Sequence, residues 1–147
     1  MFIPEGRMEF YCNALVSGFD WDFPVAIHML VPQFEAGLRQ IAMHLGVIPR
    51  SLPASGTENS WGLERLLSDA VIRAEIGESL AFEIGSLLID NFGSKIRHNL
   101  AHGLLSPEAL CGPDAIYAWW LFLHLCIVPT AGFHAYLSEI RNEEPPE

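Results

Sequence analysis

The chain has few basic residues, few cysteines and no long apolar run. It carries 8 Lys and Arg against 18 Asp and Glu, a formal net charge of −10 at pH 7. This charge opposes nonspecific binding to nucleic acids and anionic membranes, because both are negative. The three cysteines (Cys12, Cys111 and Cys126) lack CxxC spacing, so neither a disulfide framework nor a zinc ribbon is indicated. A reducing cytoplasm is the expected location.

Signals for secretion or membrane insertion are also missing. The start, MFIPEGRMEF, has charges and a proline where a signal peptide needs a continuous apolar core. The strongest apolar run, IYAWWLFLHLCIV over residues 116–128, is shorter than the roughly 20 residues of a membrane span. We therefore expect no membrane association. A buried helix is predicted instead, with Trp119, Trp120 and Phe122 packing in the core or against a partner.

Length and composition fit one folded domain. The 147 residues are 50% hydrophobic and 18% charged, which excludes a disordered chain. We expect a single domain over 1–147 with its core at about 22–140. Because no segment alternates with period two, the predicted fold class is all-α, an up-and-down bundle of about five helices.

The first predicted helix begins after Asp22, a capping carboxylate followed two residues later by a proline. Apolar residues then recur at steps of three or four as far as a C-terminal Gly46, which is typical of an amphipathic helix. Pro32 interrupts it and predicts a kink or two abutting helices. On another face Glu35 and Arg39 are four residues apart and can form a weak ion pair.

Later segments are also punctuated by turn residues. Residues 47–60 are rich in Pro, Gly and Ser and predict a loop. A helix or a pair of helices is expected from about 61 to 91. NFGS at 91–94 predicts a tight turn, with Ser94 capping the next helix. That helix should end at Gly103.

The helix after this turn is the one segment that suggests chemistry. On a helical wheel, Arg97, His98 and His102 share one face, with the two histidines at i,i+4. Residues 91–107 contain no acid, whereas Lys95 and Arg97 are basic. Arginine binds phosphate through planar, paired donors, and histidine exchanges protons near neutral pH. RNA supplies its own nucleophile, the 2′-OH, so one arginine and one or two histidines meet the needs of its cleavage.

The same residues also fit structural or metal-binding roles, and these alternatives stay open. His102 directly before Gly103 can serve the helix C-terminus, and Arg97 can be a solvated surface residue. His98 and His102 also have the HxxxH spacing of helical zinc ligands. However, Asn99 occupies the position of the glutamate in the HExxH protease motif, which removes that protease hypothesis.

The sequence RHNLAH over residues 97–102 resembles the R-x4-6-H motif of the HEPN superfamily, the higher eukaryotes and prokaryotes nucleotide-binding domains. The polar residue that commonly follows the arginine of the motif is His98 here. The wider context, LVPQFEAGLRQIA in the first helix and later NFGSKIRHNLAHGLL, is similar to a poorly characterised group of HEPN-like domains. The resemblance covers roughly residues 25–128.

This resemblance implies a helical bundle that dimerises with its motif helices facing across a twofold axis. Many superfamily members are metal-independent endoribonucleases in toxin–antitoxin, phage-defence or RNA-processing systems, so neither a metal nor a cofactor is expected. By position, Arg97 would stabilise the transition state, His102 would act as general base or acid, and His98 would orient the phosphate or assist proton transfer. Lys95 and Asn99 would contribute to substrate binding.

The resemblance also implies partners: RNA or a nucleotide, a second copy of the chain, and an antitoxin or another protein. In one toxin branch a tyrosine two residues after the motif histidine is modified by a partner enzyme, but Leu104 stands there in this chain. The strong negative charge is compatible with two rival hypotheses. One is a noncatalytic module that binds a nucleotide or a protein; the other is a dimerisation scaffold whose basic face binds a small anion.

Overall fold

The computed structural model describes residues 3–51, 56 and 59–128. Within these ranges the chain forms eight helices and two short strands. In order they are α1 (Met8–Phe19), α2 (Phe23–His44), β1 (Arg50–Ser51), β2 (Asn59–Ser60), α3 (Leu63–Ser68), α4 (Ala70–Ile76), α5 (Glu78–Leu88), α6 (Ile96–Ala101), α7 (Pro107–Leu110) and α8 (Pro113–Ile127). The all-α class is confirmed.

Helix α2 is the longest element, and its predicted ends are confirmed. The Asp22 carboxylate accepts from the Val25 amide at 3.2 Å, which satisfies one of the free donors of the first turn. At the other end Gly46 is left-handed, with φ of 76°, and the Val47 amide donates to the Ala42 carbonyl, as in a Schellman C-cap. Pro32 lies inside one continuous helix, so the expectation of two abutting helices is wrong.

The core surrounds the apolar face of α2. The predicted stripe is buried over most of its length, since Ile27, Leu30, Phe34 and Leu38 are at most 1% exposed. Towards its end Ile41 and Leu45 are partly buried. Phe122 of α8 packs against it, and its ring meets the Phe34 ring edge-on with centroids 4.8 Å apart. Helix α2 therefore lies at the centre of the described core.

Helix α1 was not anticipated, and it extends the core to positions before residue 22. Tyr11 and Ala14 are completely buried, and the Tyr11 hydroxyl donates to the Gln33 carbonyl of α2 at 2.7 Å. Gly18 makes room for the Trp119 ring, whose nearest atom would lie 2.0 Å from an added Cβ. The upper part of the predicted core, residues 129–140, lies outside the described residues.

The segment predicted as one or two helices at 61–91 contains three. Asp69 ends α3 and accepts from the Val71 and Ile72 amides that begin α4. Gly77, with φ of 85°, separates α4 from α5, because this backbone conformation is incompatible with a continuing helix. The number of helices exceeds five because caps and glycines divide predicted elements into shorter ones.

The predicted loop at 47–60 includes a small strand pair. Arg50 pairs with Ser60 and Ser51 with Asn59 in antiparallel register. Strands of two residues are too short to show the alternation of apolar and polar residues by which a strand is recognised in a sequence. This strand pair and α1 are the elements that were not predicted from the sequence.

The aromatic helix α8 begins at Pro113 and contains the predicted apolar run as far as Ile127. Phe122 is buried and Trp119 is partly buried against the core, as predicted, but Trp120 is 46% exposed and stacks between Tyr117 and His124. By length and composition, the stretch Pro107–Ile127 could cross a membrane, with a mean hydropathy of 1.3. One such stretch is weak evidence, since core helices satisfy the same criteria.

Candidate functional site

The motif residues lie on the short helix α6, called the motif helix below. Its N-cap is Lys95 in the left-handed conformation (φ 49°, ψ 36°), and no side chain caps the helix. The prediction that Ser94 caps it is therefore wrong; the Ser94 carbonyl instead accepts from the Asn99 side-chain amide at 3.3 Å. The turn before the helix is confirmed, with the Gly93 amide donating to the Asp90 carbonyl.

Gly93 is required by the packing of this turn. An added Cβ would lie 1.8 Å from the Ser86 carbonyl oxygen and 2.7 Å from its carbon. Both atoms are backbone in α5, so they cannot move aside as a flexible side chain can. The close approach of the turn to α5 sets where the motif helix begins.

The motif helix ends, as predicted, in a C-cap formed at a glycine. Gly103 has φ of 65°, its amide donates to the Leu100 carbonyl, and the Leu104 amide donates to the Asn99 carbonyl at 2.8 Å. These two bonds form a Schellman motif. Backbone amides therefore satisfy the Asn99 and Leu100 carbonyls. Within the described residues the His102 ring makes no hydrogen bond to either of them. The helix-capping role of His102 has no support here.

Arg97 is tied to helix α2 by an ion pair. Its Nη2 lies 3.3 Å from Oε2 of Glu35, and the other oxygen of Glu35 contacts the Arg39 guanidinium. The Glu35 side chain is 13% exposed, whereas that of Arg97 is 43% exposed. The Glu35–Arg39 pair is confirmed, and Glu35 also orients a motif residue 62 positions away. Arg97 is neither a free surface cation nor a buried one.

The two motif histidines are neighbours, as their spacing predicts. The His98 and His102 ring centroids are 4.4 Å apart, with the ring planes 51° from parallel. Partial desolvation lowers the pKa of His98 from its usual 6.5, and the charges of Lys95, His102 and Arg97 lower it further. His98 is therefore mainly neutral at pH 7 and able to accept a proton.

Lys95 and Asn99 have different surroundings. The Lys95 ammonium donates to Oδ1 of Asn91 and lines a cavity beside the motif helix. The Asn99 amide nitrogen donates to the Ser94 carbonyl. Asn99 therefore has a structural contact within the turn, while Lys95 lies where a ligand can reach it.

Two cavities adjoin the motif helix, and Arg97 lines both. The first, of about 420 Å³, is called the motif cavity. It is lined by the cations Lys95 and Arg97, by His98, and by the acids Glu64 and Asp90. The second, of about 320 Å³, lies between the motif helix and α2 near Pro32. The motif cavity thus brings carboxylates next to a segment that looks free of acids in the sequence.

The HxxxH pair does not gain a third ligand. Within 3–51, 56 and 59–128, no three His, Cys, Asp or Glu side chains are grouped so that they could hold a metal ion. The residues that sequence reasoning missed are Glu35 as a partner of Arg97, and Asp90 and Asn91 as parts of the cavity wall. No local pattern signals these contacts, because they join different helices or depend on the turn between them.

Comparisons of the chain with models of known families, curated proteins and solved structures find no match. The geometry of Arg97, His98 and His102 and the cavity next to them are the features of this chain that bear on its function.

Proposed function

We propose that the protein is a metal-independent endoribonuclease of the HEPN type, with Arg97, His98 and His102 at its catalytic centre. The supporting observation is the joint placement of a held guanidinium and a pair of adjacent imidazoles on one exposed helix. Arg97 keeps part of its donor fork available while Glu35 contacts one nitrogen. Such a group can bind a phosphate through charge-assisted hydrogen bonds.

The proposed reaction is transfer of the phosphate to the neighbouring 2′ oxygen. A neutral imidazole removes the 2′-OH proton, and the oxygen attacks phosphorus. The bond from phosphorus to the 5′ oxygen breaks, and the leaving oxygen takes a proton from a protonated imidazole. The products are a 2′,3′-cyclic phosphate and a 5′-OH, and Arg97 stabilises the extra charge on the phosphoryl oxygens.

The lowered pKa of His98 favours the neutral imidazole that a general base requires, so we assign His98 to that role. His102 then serves as the acid, one of the two roles expected for it from the motif. This assignment makes His98 a catalytic residue rather than only a phosphate-orienting one.

We further propose that the working unit is a homodimer whose motif helices face each other. Arg97 and His102 lie at the two edges of the face that they share on the motif helix, about 140° apart. A twofold axis through the pair of helices brings an arginine of one protomer toward a histidine of the other. The exposure of Arg97 and His102 leaves them accessible to a partner.

The test is cleavage of total RNA in the presence of EDTA. We expect wild-type protein to produce 2′,3′-cyclic phosphate ends, and Arg97→Ala and His102→Ala to lose at least about a hundredfold in rate, the size of a typical acid–base or charge contribution. Arg97→Lys should recover little, because lysine lacks the planar fork. His44→Ala is the matched control, since His44 is an exposed histidine on α2 outside the motif.

The dimer is tested by mixing the two inactive variants. If each centre takes groups from both protomers, a mixture of the Arg97→Ala and His102→Ala proteins regains part of the activity. Random exchange of protomers makes about half of the dimers mixed, and each mixed dimer has one intact centre of two, so roughly a quarter of the wild-type activity is expected. A strict monomer at micromolar concentration, measured by light scattering, contradicts the shared centre. Equal background cleavage by all variants contradicts the nuclease itself.

A noncatalytic nucleotide- or protein-binding module is the second candidate. The observation that favours it is the Glu35–Arg97 pair, which partly neutralises the arginine that a nuclease needs. Binding of a nucleotide without any cleavage, lost in Arg97→Ala, is the result expected of that module.

A further inference from the structure

The motif cavity has two chemically different sides. Lys95 and Arg97 supply donors and positive charge, and His98 lies beside them, whereas Asp90 and Glu64 supply acceptors. Its volume of about 420 Å³ lies within the range of roughly 300–1,000 Å³ of small-molecule sites. A cavity for an inorganic anion alone would not need carboxylates, because these repel it.

The acceptor side is available for a ligand. Within the part of the chain that the structure describes, the carboxylates of Asp90 and Glu64 have no hydrogen-bond or ion-pair partner. The backbone of Asp90 is held by the turn, since its carbonyl accepts from the Gly93 amide at 3.1 Å and its amide donates to the Gly85 carbonyl. An ionised carboxylate offers only acceptors, so a matching ligand must present donors.

Asn91, next in the chain, presents the opposite chemistry. Lys95 can only donate, so its contact with Asn91 fixes the amide oxygen toward the ammonium group. The amide nitrogen of Asn91 is then directed away from Lys95, and its hydrogens have no partner within the described ranges. Adjacent residues of one turn therefore provide a donor and a pair of acceptors.

We propose that the motif cavity binds the guanine base of a ribonucleotide, with Asn91 donating to O6 and Asp90 accepting from N1–H and the 2-amino group. The phosphate then lies toward Arg97 and Lys95. This inference rests on the proposed function, because it identifies the base beside the phosphate on which that function acts.

Guanine matches the Asn91 amide and the Asp90 carboxylate better than the other bases do. Its Watson–Crick edge has an acceptor followed by two adjacent donors, which match one amide and one carboxylate. Adenine and cytosine place a ring nitrogen acceptor beside their amino group, and that acceptor would face the Asp90 carboxylate. Uracil has one N–H between two carbonyl oxygens. Paired hydrogen bonds to a base discriminate by about 1–3 kcal/mol, or roughly 5- to 150-fold.

The experiment measures binding of 3′-GMP, 3′-AMP and 3′-CMP by calorimetry, in EDTA, with the full chain. We expect wild type to prefer 3′-GMP by roughly tenfold or more, and Asp90→Asn to reduce that ratio to near one. Inorganic phosphate should bind Asp90→Asn at least as well as wild type, because a negative charge is removed from the cavity. Glu75→Gln, an exposed carboxylate on α4 outside the cavity, is the control that keeps the preference.

Equal affinity of wild type for the three nucleotides, or an unchanged preference in Asp90→Asn, overturns the inference. These outcomes are separable from those of the nuclease test. Arg97-dependent cleavage without a base preference overturns the guanine site and leaves the nuclease standing. Asp90-dependent preference for 3′-GMP without cleavage of any RNA supports the guanine site and contradicts the nuclease.

Discussion

Replacing Glu35 with glutamine should loosen the contact between α2 and the motif helix. The substitution keeps the shape and one carbonyl oxygen but removes the charge shared by Arg39 and Arg97. Glu35 is the most protected of the three, with 13% of its side chain exposed against 28% for Arg39 and 43% for Arg97. Its loss therefore leaves two guanidinium groups without their common anion.

The magnitude follows from this exposure. Hydrogen bonds to charged groups contribute about 1.5–3 kcal/mol when protected, but water screens the half-exposed Arg97 pair to about 0.5 kcal/mol. With about 1 kcal/mol from the more protected Arg39 pair, the expected loss in free energy of unfolding is about 1–2 kcal/mol. In a chain of this size it lowers Tm by about 2–8 °C.

Urea unfolding followed by tryptophan fluorescence measures the loss as a change in midpoint at constant slope. Glu75→Gln is the control and should stay within about 0.5 kcal/mol of wild type. Double-mutant cycles with Arg39→Ala and Arg97→Ala divide the loss between the pairs, and the Glu35–Arg39 coupling should be the larger. If Glu35→Gln is as stable as wild type, Glu35 does not hold Arg97 and the positioning argument fails.

Two further predictions concern the turn and the motif histidine. Gly93→Ala should lower the free energy of unfolding, measured in urea, by about 1–3 kcal/mol, because the added Cβ overlaps the Ser86 carbonyl. Gly85→Ala is the control and should be neutral or stabilising, since the atom nearest to its added Cβ is 3.5 Å away. Equal stability of the two variants would refute the close approach of the turn to α5. In an NMR titration His98 should show a midpoint below 6.5, moving upward in Lys95→Ala, because partial desolvation and then the Lys95 charge lower its pKa. Near this midpoint the unfolded chain binds more protons than the folded one, so the His98 contribution to stability falls as pH falls. A His98 titration midpoint at or above 6.5 would contradict the partial desolvation of the ring and its closeness to Lys95 and Arg97.

The amino-acid sequence by itself determined the features that depend on residues within one or two turns. Asp22, Gly46 and Gly103 mark helix ends because a cap requires only neighbouring backbone groups. The contact between His98 and His102 follows from the helical repeat in the same way. The all-α class follows from these local signals added along the chain.

Only the tertiary structure decided what surrounds the motif. The stretch 91–107 is free of acids in the sequence, yet Glu35 contacts Arg97 across 62 positions, and Asp90 and Glu64 line the same cavity. Helix α1 escaped prediction, although Tyr11 is completely buried. Local sequence sets how each helix forms, but the charges that meet across helices depend on how all the apolar faces pack together, and that packing is a property of the whole chain.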